Sequence, residues 1–199
     1  EAFEGFLEDG HEFGNHNMED AFYAGYSQSD FREDLNKVQD GIETFHKRFR
    51  GSQEKTAPQT EARIDQAISP HVQSTTKKIK WYSPPKAVMS YAMRDVLSDG
   101  GFRTVIGSAY AEDWFIQNSE FIAQTLLKQA NTAGSIIILH LPRLTVPDEA
   151  KPNQVEDAVE AKWWWTLHAL EKLLIYLEEN GFATTTLSDL ENRHRQRLE

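Results

Sequence analysis

His16 and Asp20 stand four residues apart in His16-Asn17-Met18-Glu19-Asp20. At that spacing an imidazole and a carboxylate share one face of a helical turn and could hold a divalent ion together. The same stretch also reads as a cap or a solvated turn, because two ligands alone do not make a metal site. His140 closes the apolar run Ser135-Ile136-Ile137-Ile138-Leu139. A histidine at the end of a buried strand projects where α/β folds keep their chemistry. It could equally end the strand in a satisfied hydrogen bond. Tyr82-Ser83-Pro84-Pro85 and Tyr110-Ala111-Glu112-Asp113-Trp114 are two further strand ends with unusual residues. His11, His46, His71, His168 and His194 show no such placement. Trp163-Trp164-Trp165 cannot all face one way on a helix, so one or two join the core and the rest wall an interface or cleft.

The whole chain limits these chemistries. Its 199 residues are 39% hydrophobic and 11% aromatic, enough to build a core for a single domain spanning 1–199. There is no Cys, which removes disulfides, thiolate metal sites and thiol nucleophiles. Thirty-one acids against 21 bases give a net charge of −10, which argues against a nucleic-acid surface. The longest apolar runs, such as Ser135 to Leu141, are too short to span a bilayer. The chain begins at Glu1, which leaves room for an upstream segment, and nothing in it points to a compartment.

The elements that position these residues follow from periodicity. Glu1 to Asp9 forms a short helix ended by Gly10. Phe31, Leu35, Val38, Ile42, Phe45 and Phe49 make one stripe of a helix that Asp30 and Glu33 cap and that ends near Gly51. A polar insertion follows at about 51–78. Ile79 to Tyr82 is a strand, Ala87 to Leu97 a helix, Thr104 to Ile106 a strand and Asn118 to Gln129 a helix. Ser135 to Leu139 reads as a strand buried on both faces. Residues 142–156 form a loop. A long helix from Val155 to Asn180 sets Val159, Trp163, Leu167, Leu170, Leu174 and Leu177 toward the core. Phe182 to Thr186 returns as a strand before a short last helix. Helices alternating with buried strands predict an α/β fold with parallel pairing.

Taken in order, these segments resemble the polysaccharide deacetylase family (NodB homology, carbohydrate esterase family four). Gly10-His11-Glu12-Phe13-Gly14-Asn15-His16-Asn17 is similar to that family's G-H-E-I-G-N-H-[ST] segment. Trp81-Tyr82-Ser83-Pro84-Pro85 falls where its [FY]-R-P-P-[YG] motif would be, and Ala109 to Trp114 resembles its D-x-x-D-W motif. Ser135 to His140 is similar to its strand ending in the catalytic histidine. Glu178 to Phe182 and Thr186 to Leu190 resemble its closing helix, glycine and strand. The resemblance implies a distorted (β/α) barrel, here without its first strand. It also implies a metal-dependent hydrolase that removes acetyl groups from sugars, with a divalent ion on Asp-His-His, an Asp base and a His acid.

Residue by residue, the chain departs from that pattern. The T-F-D-D-G segment, source of the base and the first ligand, has no counterpart and would lie upstream of Glu1. His16 matches the first metal histidine, but Asp20 stands at the second. Ser83 replaces the arginine, Tyr110 replaces the first Asp of D-x-x-D-W, and Leu141 follows His140 where Asp is frequent. The resemblance therefore implies His140 as a candidate acid, His16 and Asp20 as metal candidates, and Tyr82, Asp113 and Trp114 as lining a substrate pocket. With general acid–base help contributing roughly 10²–10⁴-fold per group, these losses predict an eroded site. The reading is a non-catalytic, structural or binding subunit facing other proteins or a glycan, with no resident metal. The alternative is a divergent deacetylase of N- or O-acetylated glycans, with a zinc-like ion at His16 and Asp20.

Overall fold

In chain order the elements are helices α1 (Ala2–Glu8) and α2 (Gln28–Thr56), strand β1 (Lys80–Tyr82), helix α3 (Tyr91–Asp99), strand β2 (Phe102–Thr104), and helices α4 (Ser119–Gln129), α5 (Pro152–Glu179) and α6 (Leu187–Gln196). The computed structural model describes residues 2–56, 79–130, 132–140 and 152–198, without the side chains of 2–3, 52–56 and 152–163. The structure falls into two units. One is Glu1–Ile106 with Thr186–Ser188, and the other is Gly107–Thr185 with Asp189–Glu199.

In the first unit, Gly10 at φ 82° stops α1 as its sequence predicts. The start of α2 lies three residues earlier than expected. Ser27 Oγ accepts from the Asp30 N–H at 3.1 Å and donates to Asp30 Oδ2 at 2.8 Å, so Asp30 answers the cap and is not the cap itself. The helix also runs through Gly51 to Thr56, because one glycine in a long helix costs only about 1 kcal/mol. Residues 57–78, the rest of the polar insertion, lie outside the described residues. Phe31 and Leu35, each 1% exposed, pack with Tyr23, Tyr82, Met93, Val96 and Leu97. Each such apolar side chain contributes roughly 1.5–3 kcal/mol by leaving water.

The strands pair in parallel, Lys80 with Phe102, Trp81 with Arg103 and Tyr82 with Thr104, and α3 provides the crossover. This register moves the second strand two residues earlier than Thr104–Ile106. The preceding helix begins at Tyr91 and not Ala87, because Pro84, Pro85 and two left-handed residues occupy the exit of β1, and Ser90 supplies the cap to Met93. On the other edge of β1, Asn15 bridges Tyr82. Its N–H donates to Trp81 O at 2.8 Å, and its carbonyl accepts from Ser83 N–H at 3.0 Å.

In the second unit, Ala109 bridges Ile137 in parallel. Gly107 is needed for this approach, since a Cβ there would meet the Ile138 side chain at 2.4 Å. The run Ser135–Leu139 makes only this bridge among the described residues and is half-buried, so it is not the strand covered on both faces that its composition predicts. Asn118 caps α4 by accepting from Phe121 N–H at 3.0 Å. Ile122, Ala123 and Leu126 of α4 pack on Ala169 and Leu173 of α5. The buried face of α5 is thus turned from the expected one. Thr166, Ala169 and Leu173 are inside and Leu167 and Leu174 are exposed, while Leu170 and Leu177 of the expected face are half-buried, Leu177 against the same cluster. Small side chains let the two helices approach, which leucine spacing does not reveal. Val159 and Trp163 lie outside the described side chains. Gly181 at φ 73° ends α5, with its N–H to Glu178 O and the Phe182 N–H to Leu177 O. Phe182 to Thr185 is then exposed and irregular, not a strand, having no ladder partner among the described residues.

Candidate functional site

The His16 segment is held by a polar network of the first unit. Asn15, 1% exposed, donates from Nδ2 to Leu35 O at 2.9 Å, and its Oδ1 accepts the Asn17 N–H at 3.0 Å. That turn puts Asn17 at φ 61°, a conformation asparagine tolerates. The Asn17 amide donates to Asp34 Oδ2 at 2.8 Å and accepts from Tyr82 Oη at 2.7 Å. The Met18 N–H donates to the same Asp34 oxygen at 3.1 Å. Burial pushes the Asp34 carboxyl up, but the hydrogen bonds from Met18, Asn17 and Tyr23, with Lys37 nearby, outweigh it and hold the group below the ordinary carboxylate value. Burial, then the bond to Asp34, pushes the Tyr23 phenol up to about 12. Tyr82 is raised further, mainly by burial. Both phenols therefore stay neutral donors.

His16 itself is exposed, and its Nδ1 donates to Ser83 O at 2.7 Å. This bond fixes the ring and its tautomer, as backbone carbonyls do for metal-binding histidines. Asp20 does not join it on a helical turn, because residues 16–20 are irregular, and its Oδ2 pairs with the Lys86 ammonium. Among the described residues no three His, Asp or Glu side chains gather as a metal would require. One primed imidazole and one carboxylate already matched to a cation do not fit a divalent ion.

In the second unit Asp113 is fully buried and His140 closes over it. Asp113 Oδ2 accepts the His140 N–H at 2.7 Å, and Oδ1 accepts from His140 Nδ1 at 2.7 Å. Thr166 Oγ1 donates to Oδ2 at 3.4 Å, and Trp165 Nε1 donates to the Asp113 carbonyl at 3.0 Å. The His140 side chain remains 47% exposed. A carboxylate on Nδ1 fixes the tautomer and orients the ring. His140, the candidate acid of the sequence, is thus oriented by Asp113.

Asp113 and Tyr82, expected to line a pocket, are both fully buried. Asp113 orients His140, and Tyr82, fully buried, supports Asn17. Trp114 is exposed, with its Nε1 on Glu112 Oε2 at 2.6 Å. Tyr110 is exposed too, its N–H and carbonyl both bound to the Gln129 amide. Of the three tryptophans, Trp165 is half-buried on Asp113 and Trp164 is exposed against His168. Sequence reasoning missed Asp34, Tyr23 and Lys86. Asp34 sits on the polar side of the Phe31–Leu35 stripe, where a solvated acid is the ordinary expectation, and no spacing rule joins Lys86 to Asp20.

No family model and no curated protein matches the sequence. Solved structures do. The peptidoglycan deacetylase PdaC of Bacillus subtilis aligns with TM-score 0.63 at 19% identity, over 97% of this chain and 69% of that one. An acetyl xylan esterase of family 4 from Clostridium thermocellum, in complex with a cobalt ion, gives 0.59 at 21%, over 95% and 68%. A CE4 family pseudoenzyme from Bacillus anthracis gives 0.59 at 16%, over 94% and 48%. The chain spans about half the length of that last protein. The fold is that of the NodB-type polysaccharide deacetylases.

Proposed function

We propose that this chain is a polysaccharide-deacetylase-like domain, on the family's distorted (β/α) barrel, that does not deacetylate glycans and serves as a structural or binding subunit. The observation that carries this reading is the Asp20–Lys86 ion pair. The position matching the second metal histidine holds a carboxylate, and that carboxylate is matched to an ammonium. Ser83 and Tyr110 stand where the family has a charged Arg and Asp; Ser83 meets the His16 segment through its backbone N–H and carbonyl, and Tyr110 meets Gln129 through its own. The Bacillus anthracis neighbour is described as a pseudoenzyme, and a mutant of it as having restored activity, so this fold can persist without catalysis. Exposed rings at Tyr110, Trp114 and Phe115 give the second unit a surface suited to a protein or a glycan partner.

The His140–Asp113 pair favours a second reading, a divergent deacetylase that keeps its proton donor. Acetate release from chitooligosaccharides and acetylated xylan, with zinc or cobalt added, separates the two. The expected result is no release above buffer. Turnover that His140→Ala abolishes would return the chain to the deacetylases.

A further inference from the structure

Lys86 reaches Asp20 through an unusual backbone. After Pro84 and Pro85 the chain places two successive non-glycine residues, Lys86 at φ 56° and Ala87 at φ 54°, in the left-handed region. The turn is closed by the Ala87 N–H to Pro84 O at 3.0 Å and the Val88 N–H to Pro85 O at 3.4 Å. Side chains other than hydrogen are disfavoured there, and such conformations persist where the surroundings impose them. Lys86 also follows Pro85 where the resembling motif ends in Tyr or Gly. Its side chain is 52% exposed and that of Asp20 60% exposed, so the pair adds little to stability. Its effect is on charge. His16 is already oriented by Ser83 O, and the carboxylate four residues on is already neutralised.

We propose that Lys86 is a built-in cation that takes the place of a divalent ion in the His16 segment, neutralising Asp20 and keeping metals away from His16. The proposal rests on the reading of a chain that does not deacetylate glycans. A divalent ion binding His16 and Asp20 would have to displace the ammonium or sit within several ångströms of it. Coulomb repulsion of a +2 and a +1 charge at such a range, even in water, weakens binding by about tenfold or more.

The test is a zinc titration of the labelled chain, following the His16 imidazole signals by nuclear magnetic resonance. Lys86→Met keeps the length and removes the charge, Lys86→Gly removes the charge and suits the positive φ, and Lys86→Arg keeps the charge. Both neutral variants are expected to bind zinc at His16 at least about tenfold more tightly than the wild type or Lys86→Arg, and Asp20→Asn added to either should abolish the gain. Wild-type binding as tight as in the neutral variants overturns the proposal, as does a Lys86→Arg variant that behaves like Lys86→Met. Acetate release is measured separately on the wild type. Its appearance would sink the non-catalytic reading, whereas unchanged zinc affinity across the series would sink only the role of Lys86.

Discussion

Asp113 lies fully buried and gives both oxygens to His140, whereas Asp20 lies exposed and pairs with Lys86. Each acid belongs to a segment whose histidine matches a family motif, yet only the first still governs its histidine. The difference follows from solvent. A buried carboxylate must find its donors in the protein, so the groups around it are fixed together and hard to change singly. An exposed carboxylate has water as an alternative, and any nearby cation satisfies it. The buried half of the chemistry therefore keeps a defined geometry, and the exposed half is open to reassignment.

The largest expected effect breaks this comparison if it fails. Asp113→Ala leaves the His140 backbone N–H without its buried acceptor and removes a charge-assisted bond to the ring, which should cost about 3 kcal/mol. Asp20→Ala should stay within about 0.5 kcal/mol, as surface ion pairs do. Urea unfolding of the two variants measures both, and equal losses would show that burial is not what separates them.

Asp34 lies between these extremes, half-buried with three donors on it. Asp34→Ala should cost about 2 kcal/mol at neutral pH through the lost charge-assisted hydrogen bonds. Its pH dependence has a definite sign. The folded-state pKa lies below the ordinary 3.8, so the carboxylate's contribution is complete above that value and fades as pH falls below it toward the folded pKa. The gap between wild type and Asp34→Ala should therefore narrow below about pH 4. The Tyr23 phenol gives the opposite limb. Raised from 10.0 to about 12, its contribution is complete below pH 10 and lost as pH rises through 12, which an absorbance titration of phenolate formation follows in the folded chain. An unshifted Tyr23 would mean that the network around Asp34 is open to solvent.

How much of this was legible depended on whether a feature is local. The stops at Gly10 and Gly181 are written in neighbouring residues, and the structure keeps them; of the parallel strands expected, it pairs β1 with β2 as a ladder and joins Ala109 to Ile137 by a single bridge. The face of α5 was misread in part because leucine spacing ranks residues by apolarity, while the contact with α4 takes Ala169 and Leu173. His140 was legible from its place after an apolar run. The role of Asp113 was not, since it depends on a contact spanning 27 residues. The same holds for Asp34 under Asn17 and for Lys86 against Asp20, 66 residues away. Pair contacts of that range have no periodic signature.

A smaller effect tests the tryptophans on the buried side of the comparison. Trp165→Phe removes the bond to the Asp113 carbonyl and should cost about 1 kcal/mol, while Trp164→Phe, on an exposed ring, should change little. Chemical unfolding ranks the pair. If Trp164→Phe proves the more costly, the exposed ring is engaged in packing that its exposure does not suggest.

The smallest effect concerns Ala87 and sharpens the comparison on the exposed side. Ala87 and Asn17 share a left-handed backbone, at φ 54° and 61°, but only Asn17 uses its side chain to hold that conformation. Ala87 is exposed and contributes a methyl group that the left-handed region disfavours by roughly 1–2 kcal/mol. Glycine relieves that strain and adds unfolded-state freedom worth about 0.4–1 kcal/mol in the opposite direction. Ala87→Gly should therefore stabilise the chain by about 0.5 kcal/mol, with the Ala87 N–H bond to Pro84 O unaffected. Asn17→Gly should do the reverse, because it strips Tyr82 and Asp34 of their partner and leaves a buried hydroxyl without its acceptor. The sign of the difference between two identical substitutions at matched φ is the measurement. Two stabilising results would mean that the hydrogen bonds of Asn17 do not hold the His16 segment, and two destabilising ones that the turn carrying Lys86 is not strained.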